Sequence, residues 1–445
     1  MNLRFGTDGV RGRAFDELTE VGVEALGLAA AAVFGARRFY VGRDTRESGP
    51  ALSAALCSGL AAGGAEVIDL GVAPTPAVAW LSAADGVPGA VLSASHNPYA
   101  DNGVKLFAPG GRKLADAEQN EVQARLDEIM RSPAAPRPTV ATVDGAPLVE
   151  RYRLGVIASL AKQSLRDLHV VIDCANGASS AVAPSALRAL GATVDVLSAA
   201  PNGRNINDNC GSTHPGALQR AVCDRRADVG LAFDGDADRV LAVDAEGELI
   251  DGDQILAICA IDLASRGALR ENTVVITVMA NLGFRLAMRE RGISVVETAV
   301  GDRYVLEALE AGALSLGGEQ SGHVIFRDLA TTGDGLLTGV QLLDVVARSG
   351  RPLAGLAASA MRRLPQVLRN VRVERIDPTV IVRLSDAIAA VEDRLGPTGR
   401  VLVRPSGTEP LIRVMAEAES EAEAASAVDE LVRAVGHLAR VGRES

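Results

Sequence analysis

Residues 168–199 read LHVVIDCANGASSAVAPSALRALGATVDVLSA, and this stretch predicts the architecture of the chain. A β-branched strand runs into a loop of small residues, a helix rich in alanine and leucine follows, and a glycine precedes a second strand. Because a helix separates the two strands, they are expected to lie parallel in one sheet. Such a unit indicates an α/β layer with helices on the faces of the sheet.

The same unit occurs twice more along the chain. Residues 37–71 begin RRFYVGRDTRESG and end GGAEVIDLG, and residues 272–301 begin NTVVITVMANLG and continue with RGISVVETA. In each copy a glycine is expected to close the helix, namely Gly64, Gly191 and Gly292. The copies lie roughly a hundred residues apart, which makes each of them the size of a domain and excludes a solenoid.

The pattern changes after residue 364. The short strands NVRVERI, GRVLVR and LIRVMAEA alternate with helices near 378–394 and 420–440, which is typical of a smaller α+β domain. We therefore predict an α/β chain of three related domains with mixed, largely parallel sheets, followed by a smaller C-terminal α+β domain, around one central cleft. The expected domains span residues 1–150, 151–250, 251–365 and 366–445.

Composition excludes several classes of protein. The net charge of −11 argues against binding to nucleic acid, and 3% aromatic residues leave few side chains for base stacking. The five cysteines are scattered without a CxxC pair, which favours a reducing compartment. We find neither a signal peptide at the start nor an apolar run of the ~20 residues that span a membrane. A cytoplasmic protein that binds a small molecule is expected.

A cluster of three carboxylates follows the apolar strand in LAFDGDADRVL, residues 231–241. Asp234, Asp236 and Asp238 would repel one another without a cation, and oxygen ligands suit Mg²⁺ or Ca²⁺. An EF-hand calcium loop does not fit, because its sixth position holds Arg239 instead of glycine and its twelfth holds Ala245 instead of glutamate. The pattern predicts a divalent metal site, with Mg²⁺ as the expected ion.

Two further loops carry polar groups of other kinds. In VLVRPSGTEPLIR, residues 401–413, a guanidinium, two hydroxyls and a glycine suit a phosphate dianion, although a plain hairpin turn has the same composition. In GGEQSGH, residues 317–323, a carboxylate, a hydroxyl and an imidazole suit vicinal sugar hydroxyls, although an ordinary polar loop looks alike. The candidates in these two loops are Arg404, Ser406, Gly407, Thr408, Glu319, Ser321 and His323.

The fourth loop lies in LSASHNPYADNGVKLF, residues 92–107, where Ser95 is the candidate nucleophile. Lys105 is one of only three lysines among 45 basic residues. This suggests a need for an amine that can release a proton, although a lysine that is simply solvated on the loop looks alike. The chain has no G-x-S-x-G elbow, no Walker A sequence, no G-x-G-x-x-G and no H-E-x-x-H. A serine, a carboxylate metal site and a phosphate loop without a nucleotide motif predict phosphoryl transfer through the protein's own serine.

Together these loops resemble the α-D-phosphohexomutase superfamily over the whole chain. The hallmark sequences SASHNP with DNGVK, DGDADR, GEQSGH and RPSGTEP occur in the order that is typical of it. Residues 5–12 (FGTDGVRG), 205–215 (NINDNCGSTHP) and 300–307 (VGDRYVLE) are similar to the branch that acts on glucosamine phosphates. The phosphomannomutase/phosphoglucomutase branch is the first alternative, and a non-catalytic protein that binds metal or sugar phosphate is a remote one.

The resemblance implies a role for each candidate residue. Ser95 would carry the phosphoryl group and share Mg²⁺ with the three aspartates, while Glu319, Ser321 and His323 would bind the sugar. Arg11, His96 and Lys105 would surround the reacting phosphoryl group, with Arg239 close to it. The non-reacting phosphate would lie on Arg404, Ser406, Gly407, Thr408 and Arg413. The general base is left open among Lys105, His96 and His323, and burial beside cations is expected to lower the pKa of Lys105.

The implied reaction converts glucosamine 6-phosphate to glucosamine 1-phosphate through a 1,6-bisphosphate and feeds UDP-N-acetylglucosamine and cell-wall synthesis. Glucosamine 1,6-bisphosphate or glucose 1,6-bisphosphate would act as the activator. The resemblance also suggests a homodimer. A kinase, autophosphorylation and a sugar bisphosphate are three routes by which Ser95 could first be phosphorylated.

Overall fold

The computed structural model describes residues 3–6, 8–131, 140–160, 165–373, 379–405 and 410–441. The chain divides into two compact units. The first unit comprises Met1–Met279 and Ile293–Ala360, and the second comprises Ala280–Gly292 and Met361–Ser445. No helix of the described residues is both long enough and apolar enough to cross a membrane.

A seven-stranded sheet contains the first β-α-β unit. Its strands are β1 (Phe5–Gly6), β2 (Gly9–Arg13), β3 (Arg38–Arg43), β4 (Glu66–Val72), β5 (Gly89–Leu92), β6 (Asp101–Phe107) and β7 (Val143–Asp144), and its helices are α1 (Glu20–Phe34), α2 (Gly49–Ala62), α3 (Thr75–Asp85) and α4 (Asp116–Met130). The strand order is β1-β2-β6-β5-β3-β4-β7. Strand β3 is parallel to β4 and β5, whereas β5 and β6 are antiparallel. The Ser95 loop therefore follows the carboxyl end of a parallel strand.

A five-stranded sheet contains the second β-α-β unit. Its elements are α5 (Val149–Ala158), β8 (His169–Asp173), α6 (Ala183–Ala189), β9 (Thr193–Leu197), α7 (Gly216–Arg225), β10 (Val229–Phe233), β11 (Val240–Asp244) and β12 (Leu249–Ile250). The strand order is β12-β11-β10-β8-β9, and β8 is parallel to both of its neighbours. Strand β10 is wholly buried and ends at Phe233, so the aspartate cluster begins where the strand stops.

A four-stranded sheet contains the third β-α-β unit. The elements in this part of the chain are α8 (Gly252–Ser265), β13 (Thr273–Thr277), α9 (Leu282–Glu290), β14 (Ser294–Thr298), α10 (Asp302–Ala311), β15 (Leu316–Gly318), β16 (Val324–Phe326), α11 (Gly335–Ser349) and α12 (Leu353–Ala360). The strand order is β14-β13-β15-β16. Strands β15 and β16 are antiparallel and enclose the GGEQSGH loop. Helix α9 belongs to the second compact unit.

The C-terminal part forms an antiparallel sheet with helices. Its elements are β17 (Gln366–Arg372), α13 (Val380–Arg383), α14 (Ser385–Leu395), β18 (Arg400–Pro405), β19 (Leu411–Glu417) and α15 (Glu421–Val441), with the strand order β17-β19-β18. The helix predicted near 378–394 is observed as two helices, α13 and α14. Val391, Val414, Val428 and Leu431 are fully buried in the core between sheet and helices.

The predicted fold class is confirmed: three mixed α/β sheets precede a smaller antiparallel one. The glycines expected to close the helices also behave as predicted, since Gly64, Gly191 and Gly292 have φ angles of 94°, 97° and 67°. A side chain would strain this left-handed conformation, whereas glycine adopts it freely.

Candidate active site

Ser95 lies in the loop between β5 and β6 with its hydroxyl aimed at the aspartate cluster. Its Oγ donates a hydrogen bond of 2.6 Å to Asp234 Oδ2, and the residue is only 1% exposed. Its φ of 53° is left-handed, a conformation that costs a non-glycine residue about 1–2 kcal/mol. The contacts that surround Ser95 must therefore stabilise this conformation.

The aspartate loop approaches the backbone of Ser95 so closely that only glycine fits there. A Cβ atom on Gly235 would lie 2.6 Å from the carbonyl oxygen of Ser95 and 2.8 Å from Asn207 Nδ2. Both distances are shorter than van der Waals contact, so any side chain at this position would push the two loops apart. Gly235 therefore keeps the serine hydroxyl within hydrogen-bonding distance of Asp234.

The three aspartates form a buried cluster that fits a divalent cation. One carboxylate oxygen from each of Asp234, Asp236 and Asp238 lies within 4.8 Å of the others. The Oδ1 atoms of Asp236 and Asp238 are buried and accept no hydrogen bond from the described residues. Burial, followed by the charges of Asp238 and Asp236, raises the pKa of Asp234 well above its usual value. Buried carboxylate oxygens that accept no hydrogen bond are ligands that Mg²⁺ accepts.

Lys105 lies against this cluster. Its Nζ is 2.9 Å from Asp236 Oδ2, 2.9 Å from Asp238 Oδ2 and 3.0 Å from Asp8 Oδ2. Burial by itself would lower the pKa of Lys105, but these three carboxylates raise it well above its usual value. The expectation that its pKa is lowered is therefore wrong for this arrangement, and the ammonium form is favoured.

Asp8 and Lys113 belong to the same network, although no sequence pattern singled them out as site residues. Lys113 Nζ lies 2.6 Å from Asp8 Oδ1 and also contacts Asp302 Oδ2. Arg11 Nη2 donates a 2.8 Å hydrogen bond to Asp8 Oδ2. Burial would raise the pKa of Asp8, but Lys105 and Lys113 hold it below its usual range. The rarity of lysine, which drew attention to Lys105, applies equally to Lys113.

His96 lies beside the serine hydroxyl. Its Nδ1 is 3.4 Å from Ser95 Oγ and 3.5 Å from Arg239 Nη1. Burial, followed by the charges of Arg239 and Arg11, lowers the pKa of His96 and favours the neutral ring. A neutral imidazole next to the serine hydroxyl can accept or donate a proton.

His323 is held by backbone instead. Its Nε2 accepts a 3.1 Å hydrogen bond from the Gly333 amide, which places the hydrogen of a neutral ring on Nδ1. That Nδ1 lies 3.8 Å from Asp238 Oδ1, and Nε2 lies 3.7 Å from Asp302 Oδ2. Burial would lower the pKa of His323, but Asp238 raises it. The structure thus places His323 against the aspartate cluster.

A cavity of about 420 Å³ opens next to these groups. It is lined by Arg4, Gly6, Asp8, Gly9, Arg11, Arg239, Val300, Gly301, Asp302 and Glu319. Glu319 Oε1 accepts a 3.1 Å hydrogen bond from the Gly301 amide, and the buried Ser321 Oγ has no hydrogen-bond partner among the described residues. The volume lies within the range of small-ligand sites, and the lining mixes cations with carboxylates.

The two predicted arginines of the C-terminal loop lie opposite each other. Arg404 on β18 faces Arg413 on β19 in the antiparallel register. Burial, followed by the charge of Arg413, lowers the pKa of Arg404. Neither arginine forms an ion pair with a carboxylate of the described residues, while Ser406, Gly407 and Thr408 lie outside the described part of the chain. Paired like charges of this kind suit an anionic ligand.

Comparison with known proteins agrees with this arrangement. Four models of the phosphoglucomutase/phosphomannomutase family match in succession. Alpha/beta/alpha domain I matches residues 2–132, domain II matches 150–247, domain III matches 251–364, and the C-terminal domain matches 368–434.

Individual relatives are similar over nearly the full length. The chain is 54% identical to a phosphoglucosamine mutase of Frankia alni, with 98% of each chain covered, and 51% identical to one of Thermobifida fusca, again with 98% of each covered. Among solved structures, a phosphoglucomutase/phosphomannomutase family protein of Burkholderia thailandensis superimposes with a TM-score of 0.79 at 27% identity, covering 96% of both chains.

Proposed function

This chain belongs to the phosphoglucomutase/phosphomannomutase family, and within it we propose that the protein is a phosphoglucosamine mutase. The enzyme is an isomerase that interconverts glucosamine 6-phosphate and glucosamine 1-phosphate through phosphoserine and a 1,6-bisphosphate. The sugar is inferred from the relatives at 54% and 51% identity. The observation that carries the chemistry is the 2.6 Å hydrogen bond from Ser95 Oγ to Asp234 in a buried carboxylate cluster.

Ser95 carries the phosphoryl group in this proposal. Phosphoserine transfers its phosphoryl to O1 of glucosamine 6-phosphate, the bisphosphate turns end for end, and the 6-phosphoryl returns to Ser95 Oγ. Glucosamine 1-phosphate is then released, and the enzyme is phosphorylated as before. A free sugar 1,6-bisphosphate would restore any enzyme that has lost its phosphoryl group, which makes glucosamine or glucose 1,6-bisphosphate the expected activator.

Cations around Ser95 stabilise the negative charge that spreads over the phosphoryl oxygens. Asp234, Asp236 and Asp238, together with an oxygen of the serine phosphate, would hold Mg²⁺, whose bound charge polarises the phosphoryl group. Arg11 and Arg239 line the adjacent cavity and would contact the same oxygens.

Proton transfer accompanies each step, because the attacking hydroxyl loses a proton and the departing oxygen gains one. His96 Nδ1, 3.4 Å from Ser95 Oγ, is well placed to exchange that proton. Lys105 remains a candidate, but its three carboxylate partners favour the charged amine. Nε2 of His323 already accepts the Gly333 amide and is less available.

We assign the sugar and the phosphate that is not reacting to two further loops. We propose that Glu319, Ser321 and His323 belong to the sugar-binding loop, where the unpaired Ser321 hydroxyl supplies a free hydrogen-bonding group. Arg404 and Arg413, with Ser406, Gly407 and Thr408, would bind the phosphate that is not reacting. Under this proposal the domains 1–150, 151–250, 251–365 and 366–445 contribute the phosphoserine, the metal loop, the sugar loop and the phosphate loop.

We also propose where the enzyme acts and which partners it has. A free sugar phosphate as substrate fits a cytoplasmic enzyme, and no described helix spans a membrane. The homodimer and the activating kinase remain predictions from the family resemblance.

A coupled turnover assay tests the function. Wild type and Ser95→Ala are assayed with Mg²⁺ and catalytic sugar 1,6-bisphosphate on glucosamine, glucose and mannose phosphates, and intact mass reports the phosphoserine. We expect glucosamine phosphate to give the highest kcat/KM and Ser95→Ala to lose at least a thousandfold in kcat, as for other covalent nucleophiles. A preference for hexose phosphates would favour a phosphomannomutase/phosphoglucomutase instead, and full activity of Ser95→Ala would refute the phosphoserine.

A further inference from the structure

Arg46 is a buried arginine that the reaction described above does not use. It follows β3 in the stretch GRDTRESG, and its side chain is 0% exposed. Its Nε lies 2.8 Å from Asp44 Oδ2, so the charge is paired. A buried ion pair is costly to desolvate and is tolerated when the remaining donors are also satisfied. The partners of those donors indicate what the residue does.

The guanidinium of Arg46 holds the backbone of the Ser95 loop. Nη2 donates to the carbonyl oxygens of Ser95 at 3.0 Å and Asn97 at 2.8 Å. Nη1 donates to the carbonyl oxygen of Asp101 at 2.9 Å and also contacts that of Pro98. Four backbone carbonyls of one seven-residue stretch, residues 95–101, thus accept hydrogen bonds from one side chain. Only the planar fork of arginine supplies enough donors in fixed directions for this arrangement.

Asn207 binds two of the same carbonyls from another part of the fold. Its Nδ2 donates to Ser95 O at 2.9 Å and Asn97 O at 3.1 Å. It lies between β9 and α7, in the chain of the second sheet, and is 7% exposed. The backbone N–H of Asn207 donates to Ala175 O at 2.9 Å, and this hydrogen bond anchors the residue to the loop after β8. The backbone at Ser95 is therefore fixed from both the first and the second sheet.

The amide side of Ser95 is fixed by the same arginine–aspartate pair. Ser93 Oγ accepts the Ser95 amide at 2.9 Å and donates to Asp44 Oδ2 at 2.7 Å, the oxygen that also pairs with Arg46. Ser95 thus has both its amide and its carbonyl bound while it adopts a left-handed φ of 53°. These contacts oppose relaxation of the backbone, which would turn Oγ away from Asp234.

We propose that Arg46 and Asn207 are positioning residues for phosphoryl transfer, which hold the Ser95 backbone in the conformation that aims Oγ at the metal loop. This inference rests on the proposed function, because it assumes that Ser95 carries the phosphoryl group. Neither side chain lines the cavity next to Ser95. Their removal should therefore slow the transfer step and leave sugar-phosphate binding intact.

The test compares Arg46→Lys, Arg46→Met and Asn207→Ala with wild type. A displacement of about 1 Å at a reacting group costs about a hundredfold in rate, so we expect kcat to fall about a hundredfold for Arg46→Met and less for Asn207→Ala. KM should change less than about twofold, since uniform binding is untouched. Single-turnover transfer from phosphorylated enzyme to substrate, followed by intact mass, should slow by the same factor as kcat. Arg46→Lys keeps the charge without the fork and should recover little of the rate.

A matched control separates positioning from loss of stability. Leu52→Ala removes a fully buried side chain from α2 in the same domain and should lower Tm without slowing transfer at a temperature where the protein is folded. If Arg46→Met and Asn207→Ala transfer at the wild-type rate, or lose no more rate than Leu52→Ala, the inference is overturned. Should Arg46→Met fail to fold, Asn207→Ala decides alone.

The double variant Arg46→Met/Asn207→Ala provides a second readout. Each single variant leaves the Ser95 and Asn97 carbonyls with one donor, whereas the double variant leaves them with none, so its rate should fall by more than the product of the single effects. A strictly multiplicative result would contradict the shared role. Failure of the proposed function would be detected in a different experiment, the turnover assay of wild type and Ser95→Ala. An active Ser95→Ala would overturn this inference as well.

Discussion

The Ser95 site in the first compact unit and the Arg404–Arg413 pair in the second differ in how their charges are paired. In the first, the buried ammonium of Lys105 touches three carboxylates and that of Lys113 touches two. In the second, two guanidiniums face each other across adjacent strands with no carboxylate partner among the described residues.

This difference indicates how each region meets its ligand. In the first region Lys105 and Lys113 neutralise much of the carboxylate charge within the protein itself. The buried Oδ1 atoms of Asp236 and Asp238 accept no hydrogen bond from the described residues and are left for a metal. The second region carries repulsion that an anion would relieve, so part of the binding energy of a phosphate should come from that relief. Mutations of these charged residues should consequently lower the stability of the protein in the first region, and leave it unchanged or slightly higher in the second.

The largest effect is expected for Lys105→Met. Removing one partner of a buried ion pair costs about 3–5 kcal/mol, because the remaining charges are left buried and uncompensated. We expect the free energy of unfolding to fall by that amount in EDTA and to recover in part with Mg²⁺, since the metal would supply positive charge to Asp236 and Asp238. Denaturant unfolding in EDTA and in Mg²⁺ buffer measures this change in the free energy of unfolding.

Lys113→Met is the matched control for that experiment. Its partners Asp8 and Asp302 are not among the expected metal ligands, so it should be destabilised but recover little with Mg²⁺. Stability of Lys105→Met equal to wild type in EDTA would contradict the view that the first region balances its charge internally. Equal recovery of both lysine variants would show that Mg²⁺ acts elsewhere.

A smaller and different effect is expected for Arg404→Ala. Loss of hydrogen bonds to a charged ligand costs about 1.5–3 kcal/mol, which corresponds to a rise in KM of about tenfold to a hundredfold. The bisphosphate should also leave the enzyme more often before it turns, which product analysis during turnover detects. Stability should not fall, and loss of the like-charge pair with Arg413 should raise it by about 0.2–1 kcal/mol. The control is Arg369→Ala, which lies on β17 of the same sheet and breaks a surface ion pair with Asp429 of α15. An unchanged KM without leakage would remove Arg404 from the substrate site.

The sequence was most informative where a function lies within one short segment. Asp234, Asp236 and Asp238 come from one loop directly after an apolar strand, so the carboxylate cluster could be predicted from the sequence. Ser95 was selected as a candidate in the same way, from the loop that follows β5. Such residues need only local geometry to be recognised.

Residues whose partners lie far along the chain could not be found in this way. Lys113 meets Asp302, 189 residues away, and Arg46 meets loop carbonyls about fifty residues away. Backbone acceptors carry no side-chain signature, so nothing in GRDTRESG shows that the arginine binds Ser95 O. The error on the pKa of Lys105 has the same cause, because Asp8 and the metal loop approach it only in the folded chain.

The smallest effect, and the one that most sharpens the comparison, is expected for Arg413→Gln. Like charges directly opposite each other on antiparallel strands destabilise a sheet by about 0.2–1 kcal/mol. In phosphate-free buffer the variant should therefore be more stable than wild type by that amount, the opposite sign to Lys105→Met. Added inorganic phosphate should stabilise wild type more than the variant, because both arginines would bind the anion, and the difference should shrink or reverse. Denaturant unfolding with and without phosphate measures both terms. If Arg413→Gln is destabilised without phosphate, the second region is internally balanced like the first, and the contrast between the two regions is wrong.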